Sequence, residues 1–329
     1  MQGQTLDRRG FLQTGAAAAA AAALAGARLA QAAPAGPMVA IVRDKSKKAI
    51  AENEVDAAIV QKLVDEAVMK LAGKDDVAKA WSVYVSPKDK VAVKFNGLFE
   101  RATTHPEVVA AVTCGLLKAG VDPANIVVYD RHEKDFRIAR IKMNREGEGA
   151  RAYATDKDYG PEVKAGPVAT RISNILHKAD VLINVPMMKT HILAGISGAL
   201  KNHLGTVPNA SDLHFEDAEK KVQSCLYVAD INALEPIKAK TRICICDALY
   251  GLFDKGPGFS PACRWDYCGI IASVDPVAMD AVLADIIKAK RVEKGLAPYH
   301  NAIKHVERAA ELGLGVADLA KINRVEAEV

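Results

Sequence analysis

Ala179-Asp180-Val181-Leu182-Ile183-Asn184-Val185-Pro186-Met187-Met188-Lys189-Thr190-His191 contains the run that decides the fold. Val181 to Val185 is short, largely apolar and rich in β-branched residues, which marks a strand buried on both faces. A loop of charged and small residues follows at once, through Ala194-Gly195-Ile196-Ser197-Gly198, into a helix near Gly198. The same alternation extends outward in both directions. Upstream, Met38 to Arg43, Val91 to Phe95 and Ile126 to Tyr129 read as strands. Between them, Glu54 to Leu71 has apolar residues at helical spacing, and Pro106 to Ala119 is a helix that opens on Pro and closes at Gly120. Downstream, His214 to Leu234 reads as a long helix, Arg242 to Cys246 and Ile270 to Ser273 as strands, and Pro276 to Lys290 and Tyr299 to Leu312 as helices. Residues 140–168, rich in glycine and charge, read as an exposed excursion. This order predicts an α/β fold: a mostly parallel sheet with helices on both faces, a three-layer α/β/α arrangement in one domain over residues 36–329.

The first 35 residues read differently. Asp7-Arg8-Arg9-Gly10-Phe11-Leu12 resembles the twin-arginine export motif, with Asp7 and Gln13 departing from its flanking positions. A weakly apolar stretch with eight consecutive Ala (16 to 23) follows, then small residues around Ala30-Gln31-Ala32-Ala33 that suit signal peptidase. The stretch is too short and too weakly apolar for a membrane span. The expectation is a twin-arginine signal peptide over 1–35, the translocase as a transient partner, a periplasmic product and no stable membrane insertion after cleavage. Replacing Arg8 and Arg9 by Lys is expected to abolish the mature periplasmic form. Cell fractionation measures this, and an unchanged periplasmic yield would refute the assignment.

Composition narrows the function classes. The chain has 44 basic and 40 acidic residues, and cleavage after residue 32 removes three Arg and one Asp, lowering the net charge from +4 to +2. A near-neutral chain with 5% aromatic residues has neither the basic footprint nor the stacking platform of a nucleic-acid binder. The six Cys contain no Cys-x-x-Cys, and this spacing argues against an iron–sulfur cluster. Cys244 and Cys246 share one face of a strand, whereas Cys263 and Cys268 share a loop where an oxidising compartment would allow a disulfide.

In open parallel sheets, ligands bind beyond the carboxyl ends of the strands. The post-strand segments here hold Asn96, Arg101 and His105, then Asp130, Arg131 and His132, then Lys189, His191, Lys201 and His203, with His214 beyond. Histidine titrates near neutral pH and is the commonest metal ligand. His105 and His177, taken singly, read as surface residues. Lys189 and Lys201 flank Gly195, Ser197 and Gly198, small residues that let backbone approach a ligand. No Walker motif, dinucleotide fingerprint, nucleophile elbow or His-Glu-x-x-His occurs.

Three blocks carry a family resemblance. Ala179 to Pro186, Lys189-Thr190-His191 and Gly198-Ala199-Leu200-Lys201-Asn202-His203-Leu204-Gly205 resemble the core motif of domain-of-unknown-function family 362. Val91 to Asn96, Asp247-Ala248 with Gly256-Pro257-Gly258, and Ala272 to Ala278 fit its other blocks; the ferredoxin-like module of many members is lacking. More distantly, His191-Ile192-Leu193-Ala194-Gly195-Ile196-Ser197-Gly198-Ala199-Leu200-Lys201 is similar to a stretch of nickel-dependent lactate racemase, with Ile196, Ala199 and Leu200 departing from it. That resemblance implies a nickel-pincer nucleotide tethered at Lys201, a metal ligand at His214, and catalytic acid–base roles for His191 and His132. Gly195, Ser197, Gly198, Asn96 and Lys189 would line the cofactor, and Arg101 would hold a substrate carboxylate.

Three functions remain open at this point. The first is an exported enzyme, dependent on a transition metal or other cofactor, that moves a proton or hydride on a small oxygenated organic acid. The others are a periplasmic metal- or anion-binding protein without turnover, and an iron–sulfur electron carrier.

Overall fold

The computed structural model describes residues 36–329 except 52, 53, 218 and 300, so the signal-peptide reading lies outside the described residues. Ten strands form the main sheet. They are β1 (Met38–Arg43), β2 (Val91–Phe95), β3 (Ile126–Tyr129), β4 (Arg151–Ala152), β5 (Val181–Val185), β6 (Met187–His191), β7 (Gly195–Ser197), β8 (Thr241–Leu252), β9 (Arg264–Ser273) and β10 (Asn323–Glu328). The order across the sheet is β10-β1-β9-β8-β5-β2-β3-β4, with β6 paired to β8 and β7. Along that order, β9 is antiparallel to both its neighbours and every other pair is parallel. The sheet is therefore mostly parallel, and the strands β2, β3, β5 and β8 end at one edge.

Helices cover both faces because successive side chains of these strands point to opposite sides and nearly all are apolar. On one face, Val91, Val93, Phe95 and Ile183 pack under α1 (Ala57–Ala72), α2 (Val77–Trp81), α3 (Pro106–Lys118) and α4 (Glu133–Ile138). On the other face lie α5 (Asn174–Lys178), α6 (Ala199–Asn202), α7 (Val228–Asn232), α8 (Glu235–Lys238), α9 (Pro276–Glu293) and α10 (Lys304–Glu311). Local chemistry sets the helix ends. Asp56 caps α1 by accepting from the Ala58 and Ile59 amides, and Gly73 closes it with φ +61°. Among the described residues no helix is long and apolar enough to cross a membrane.

Several elements differ from the sequence reading. His214 to Leu234 is not one helix: a 3₁₀ turn at Asp212–His214 leads into a small hairpin, Phe215–Asp217 with Val222–Gln223, and only Val228–Asn232 is α-helical. Lys221 and Cys225 have φ of 56° and 57°, which a continuous right-handed helix does not permit. The last helix starts at Lys304, not Tyr299. Cys263 and Cys268 are both free thiols. The strand β9 begins between them, and five extended residues span about 16 Å, far beyond disulfide reach.

Candidate functional site

A cavity of about 430 Å³ opens at the carboxyl edge of the sheet, where β2, β3 and β6 end. Of the residues singled out from sequence, Asn96, His132, Lys189, His191, Ser197, Lys201 and His214 all line it. The chain turns back on itself to bring these groups together. β6 continues β5 beyond Pro186, then pairs with β7 through Lys189↔Ser197 and His191↔Gly195, and α6 carries Lys201 back under the edge.

Lys201 lines the cavity from α6. It is 7% exposed, and its Nζ lies 3.0 Å from His214 Nε2. Burial lowers its pKa to about 8. Neither Lys201 nor Lys189 has a carboxylate within ion-pairing distance among the described residues. His214 Nδ1 lies 2.9 Å from the Ala210 carbonyl and must donate to it, so Nε2 is the ring's lone-pair nitrogen. His191 has the opposite polarity. Its Nδ1 accepts from the Leu193 and Ala194 amides at 3.2 and 3.3 Å, which leaves N–H on Nε2. The two rings stack with centroids 5.6 Å apart. Burial, then the neighbouring Lys201, holds both in the neutral form: His214 falls to about 4, and His191 lies far below the usual histidine range. The cavity thus presents one imidazole as a hydrogen-bond donor and one as an acceptor.

Lys189 Nζ donates to Asn96 Oδ1 at 2.9 Å, to Leu98 O at 3.4 Å and to Ala102 O. It grips the loop after β2, and burial lowers its pKa to about 7. Lys94, also lining the cavity, is 1% exposed and pairs with Asp130 at 2.7 Å. Asp130 also accepts from the Gly97 and Arg131 amides at 2.7 Å each. Asp130 and Arg131 stand among the post-strand residues read from the sequence, whereas Lys94 was not singled out, yet a signal existed. Lys94 is the only charge inside a strand that is otherwise apolar, and a buried cation requires a partner.

The glycines act on protein groups and not on a ligand. Gly198 and Gly195 do not line the cavity. A Cβ at Gly198 would lie 2.1 Å from Asp280 Oδ1. Asp280, wholly buried in α9, accepts from the Ala199 and Leu200 amides at 2.6 and 3.0 Å and so anchors the first turn of α6. Gly195 has φ +75°, and a Cβ there would meet Asn301 O at 2.6 Å. Arg101 also lies outside this cavity. Its guanidinium sits 4.5 Å over the Phe259 ring, and it lines a separate pocket. Arg131 is the arginine that faces Lys201's cavity. His105 is buried and bonded to Asp247, contrary to a surface role.

The model of the family described as "Domain of unknown function (DUF362)" matches residues 91–285. The chain belongs to this family. Every residue that lines the cavity falls inside that span, whereas β1, α1 and β10 lie outside it. No curated protein matches the chain. Among solved structures, it is similar to the lactate racemase apoprotein from Thermoanaerobacterium thermosaccharolyticum, at 10% identity and a TM-score of 0.43. The match covers 72% of this chain and 54% of that one, so the chain spans about half the length of that structure.

Proposed function

We propose that the protein is an exported enzyme that binds a small oxygenated organic acid and moves a proton at its hydroxyl-bearing carbon. The observation that carries this reading is the Lys201 amine. It is buried without a carboxylate partner and bonded to the lone pair of a neutral imidazole. A charged ammonium in that position attracts a carboxylate, with Arg131 as a second cation lining the same cavity. His214 Nε2 carries a lone pair that can take up and give back the hydroxyl proton, and His191 Nε2–H can donate a hydrogen bond that orients the ligand's oxygen. A cavity of about 430 Å³ suits a small ligand and its contacts.

The donor set also fits a tethered metal cofactor. Among the described residues no group of three or more His, Cys, Asp or Glu is disposed to hold a metal ion, so a metal here would arrive within a ligand that already carries it. Lys201 would hold that ligand through Nζ, and His214 would add one nitrogen. His214 has the arrangement usual for a metal-bound histidine, with its other ring nitrogen donating to a backbone carbonyl. When bound, such a group would supply an electrophile that accepts hydride. The chain's own residues would orient the acid and exchange the hydroxyl proton.

Calorimetry with 2-hydroxy acids and their amides tests the reading. Below about pH 8 Lys201 is charged and attracts the carboxylate; above it the attraction fades. Lys189, near pH 7, acts in the same direction. Affinity for the acid is expected to fall about tenfold between roughly pH 6 and 9.5, while the amide binds weakly throughout. Equal binding of acid and amide, or affinity that rises with pH, would overturn it. Binding with no exchange or oxidation at the hydroxyl-bearing carbon would leave a periplasmic binding protein instead.

A further inference from the structure

The loop between β2 and α3 separates two cavities. Leu98 and Phe99 line the one that contains Lys201; Glu100, Arg101 and Thr103 line a second, of about 620 Å³. The second cavity has a different chemistry. Arg101, Arg137 and Arg140 face it, against a single lining carboxylate, Glu100. Arg137 and Arg140 lie at and just beyond the end of α4, and neither guanidinium has an ion pair or hydrogen bond among the described residues.

One part of this cavity is built into the core. His105 is 7% exposed, and its Nδ1 lies 2.7 Å from Oδ2 of Asp247, which is wholly buried. The same carboxylate accepts from the His105 amide at 2.7 Å and the Leu249 amide at 3.1 Å, so its position is fixed. Tyr250 meets the imidazole edge-on at 5.0 Å, and its hydroxyl donates to the Arg101 carbonyl. Nδ1 is thereby committed to Asp247, and Nε2, which has no partner among the described residues, is left for the cavity. His105 is also the N-cap of α3, whose thirteen residues begin without a side-chain cap bond, so the positive end of that helix adds to the same field.

We propose that this second cavity binds a doubly charged oxoanion, a phosphate or phosphate monoester, gripped by Arg137 and Arg140 with His105 at its floor. Guanidinium forks match the oxygen edges of such an anion bidentately. A buried imidazole held by a carboxylate favours the protonated form, and the Asp247 charge raises the His105 pKa against the effect of burial. Two guanidinium groups and a buried imidazole exceed what a monocarboxylate needs. The proposal does not depend on the reading of the Lys201 cavity.

Phosphorus NMR and calorimetry on the full chain, with inorganic phosphate and phenyl phosphate as probes, test it. The double variant Arg137→Gln/Arg140→Gln changes only exposed side chains and is expected to weaken both probes at least about tenfold. Lys201→Ala is expected to leave them unchanged, and His105→Gln to weaken them with the Arg pair intact. Tighter binding of phenyl phosphate than of phosphate identifies the natural ligand as an ester; the reverse order identifies the free ion. Absence of binding at millimolar probe, affinity that survives the double Arg variant, or loss on Lys201→Ala instead would each overturn the proposal.

Discussion

Lys201→Ala is expected to reduce turnover by roughly 100- to 1,000-fold while leaving the melting temperature unchanged or slightly higher. The two halves of this result have the same cause. Lys201 is a buried cation whose hydrogen-bond partner is an imidazole and not a carboxylate. Such a group costs desolvation without an ion pair to offset it, so its removal does not weaken the fold. On the proposed function, in contrast, the variant loses the charge that would draw the acid in and the amine that would carry a tethered group. His214 keeps its bond to the Ala210 carbonyl in the variant and remains correctly oriented. Kinetics, thermal unfolding and intact mass of protein from a host that makes pincer cofactors measure the three consequences together. Undiminished turnover would remove Lys201 from the mechanism. A fall of many degrees in melting temperature would make it a structural residue.

The opposite balance holds at Lys94 and Asp130. Asp130→Ala is expected to destabilise the protein by about 3–5 kcal/mol, because it leaves the Lys94 ammonium buried and uncompensated. The pair is 2.7 Å apart with side chains 1% and 6% exposed. The Gly97 and Arg131 amides lose their acceptor in the same step, which loosens the ends of β2 and β3 at the rim of the cavity. Lys94→Met combined with Asp130→Leu removes both charges, and its cost is expected to be much smaller. A double-mutant cycle by denaturant unfolding reads the difference. The single variant should also melt on the order of 5–10 °C lower. A single-variant loss below about 1 kcal/mol, the range of an exposed pair, would show that the pair is not buried in solution.

Gly205 illustrates how closely this pair is built. A Cβ there would lie 2.2 Å from Asp130 Oδ1 and 2.5 Å from Lys94 Nζ, so the turn after α6 needs glycine to pass over the ion pair. Gly198 serves Asp280 in the same way at the start of α6. The short helix that carries Lys201 is therefore anchored at its start by Asp280 and followed by a glycine turn packed on the Lys94–Asp130 pair, and neither carboxylate is near it in the sequence.

Local periodicity alone was enough to locate Met38–Arg43, Val91–Phe95, Ile126–Tyr129 and Val181–Val185 as strands, since each is an apolar run bounded by polar or turn residues. Pro106 marked the opening of α3, and the position after a strand together with the family resemblance grouped His191, Ser197 and Lys201, which one continuous stretch of chain carries. The extent of β8, the pairing of β6 with it and the return of β10 beside β1 depend on partners far along the chain, which no local pattern encodes. The same holds for the site. His105 and Asp247 are 142 residues apart, and Lys201 meets His214 because the turns at His203–Thr206 and Asp212–His214 fold the intervening chain back over the sheet edge. Periodicity records which side of an element faces the core. Which buried charge meets which partner is settled only when the sheet is assembled, because satisfying those groups is a property of the packed interior as a whole.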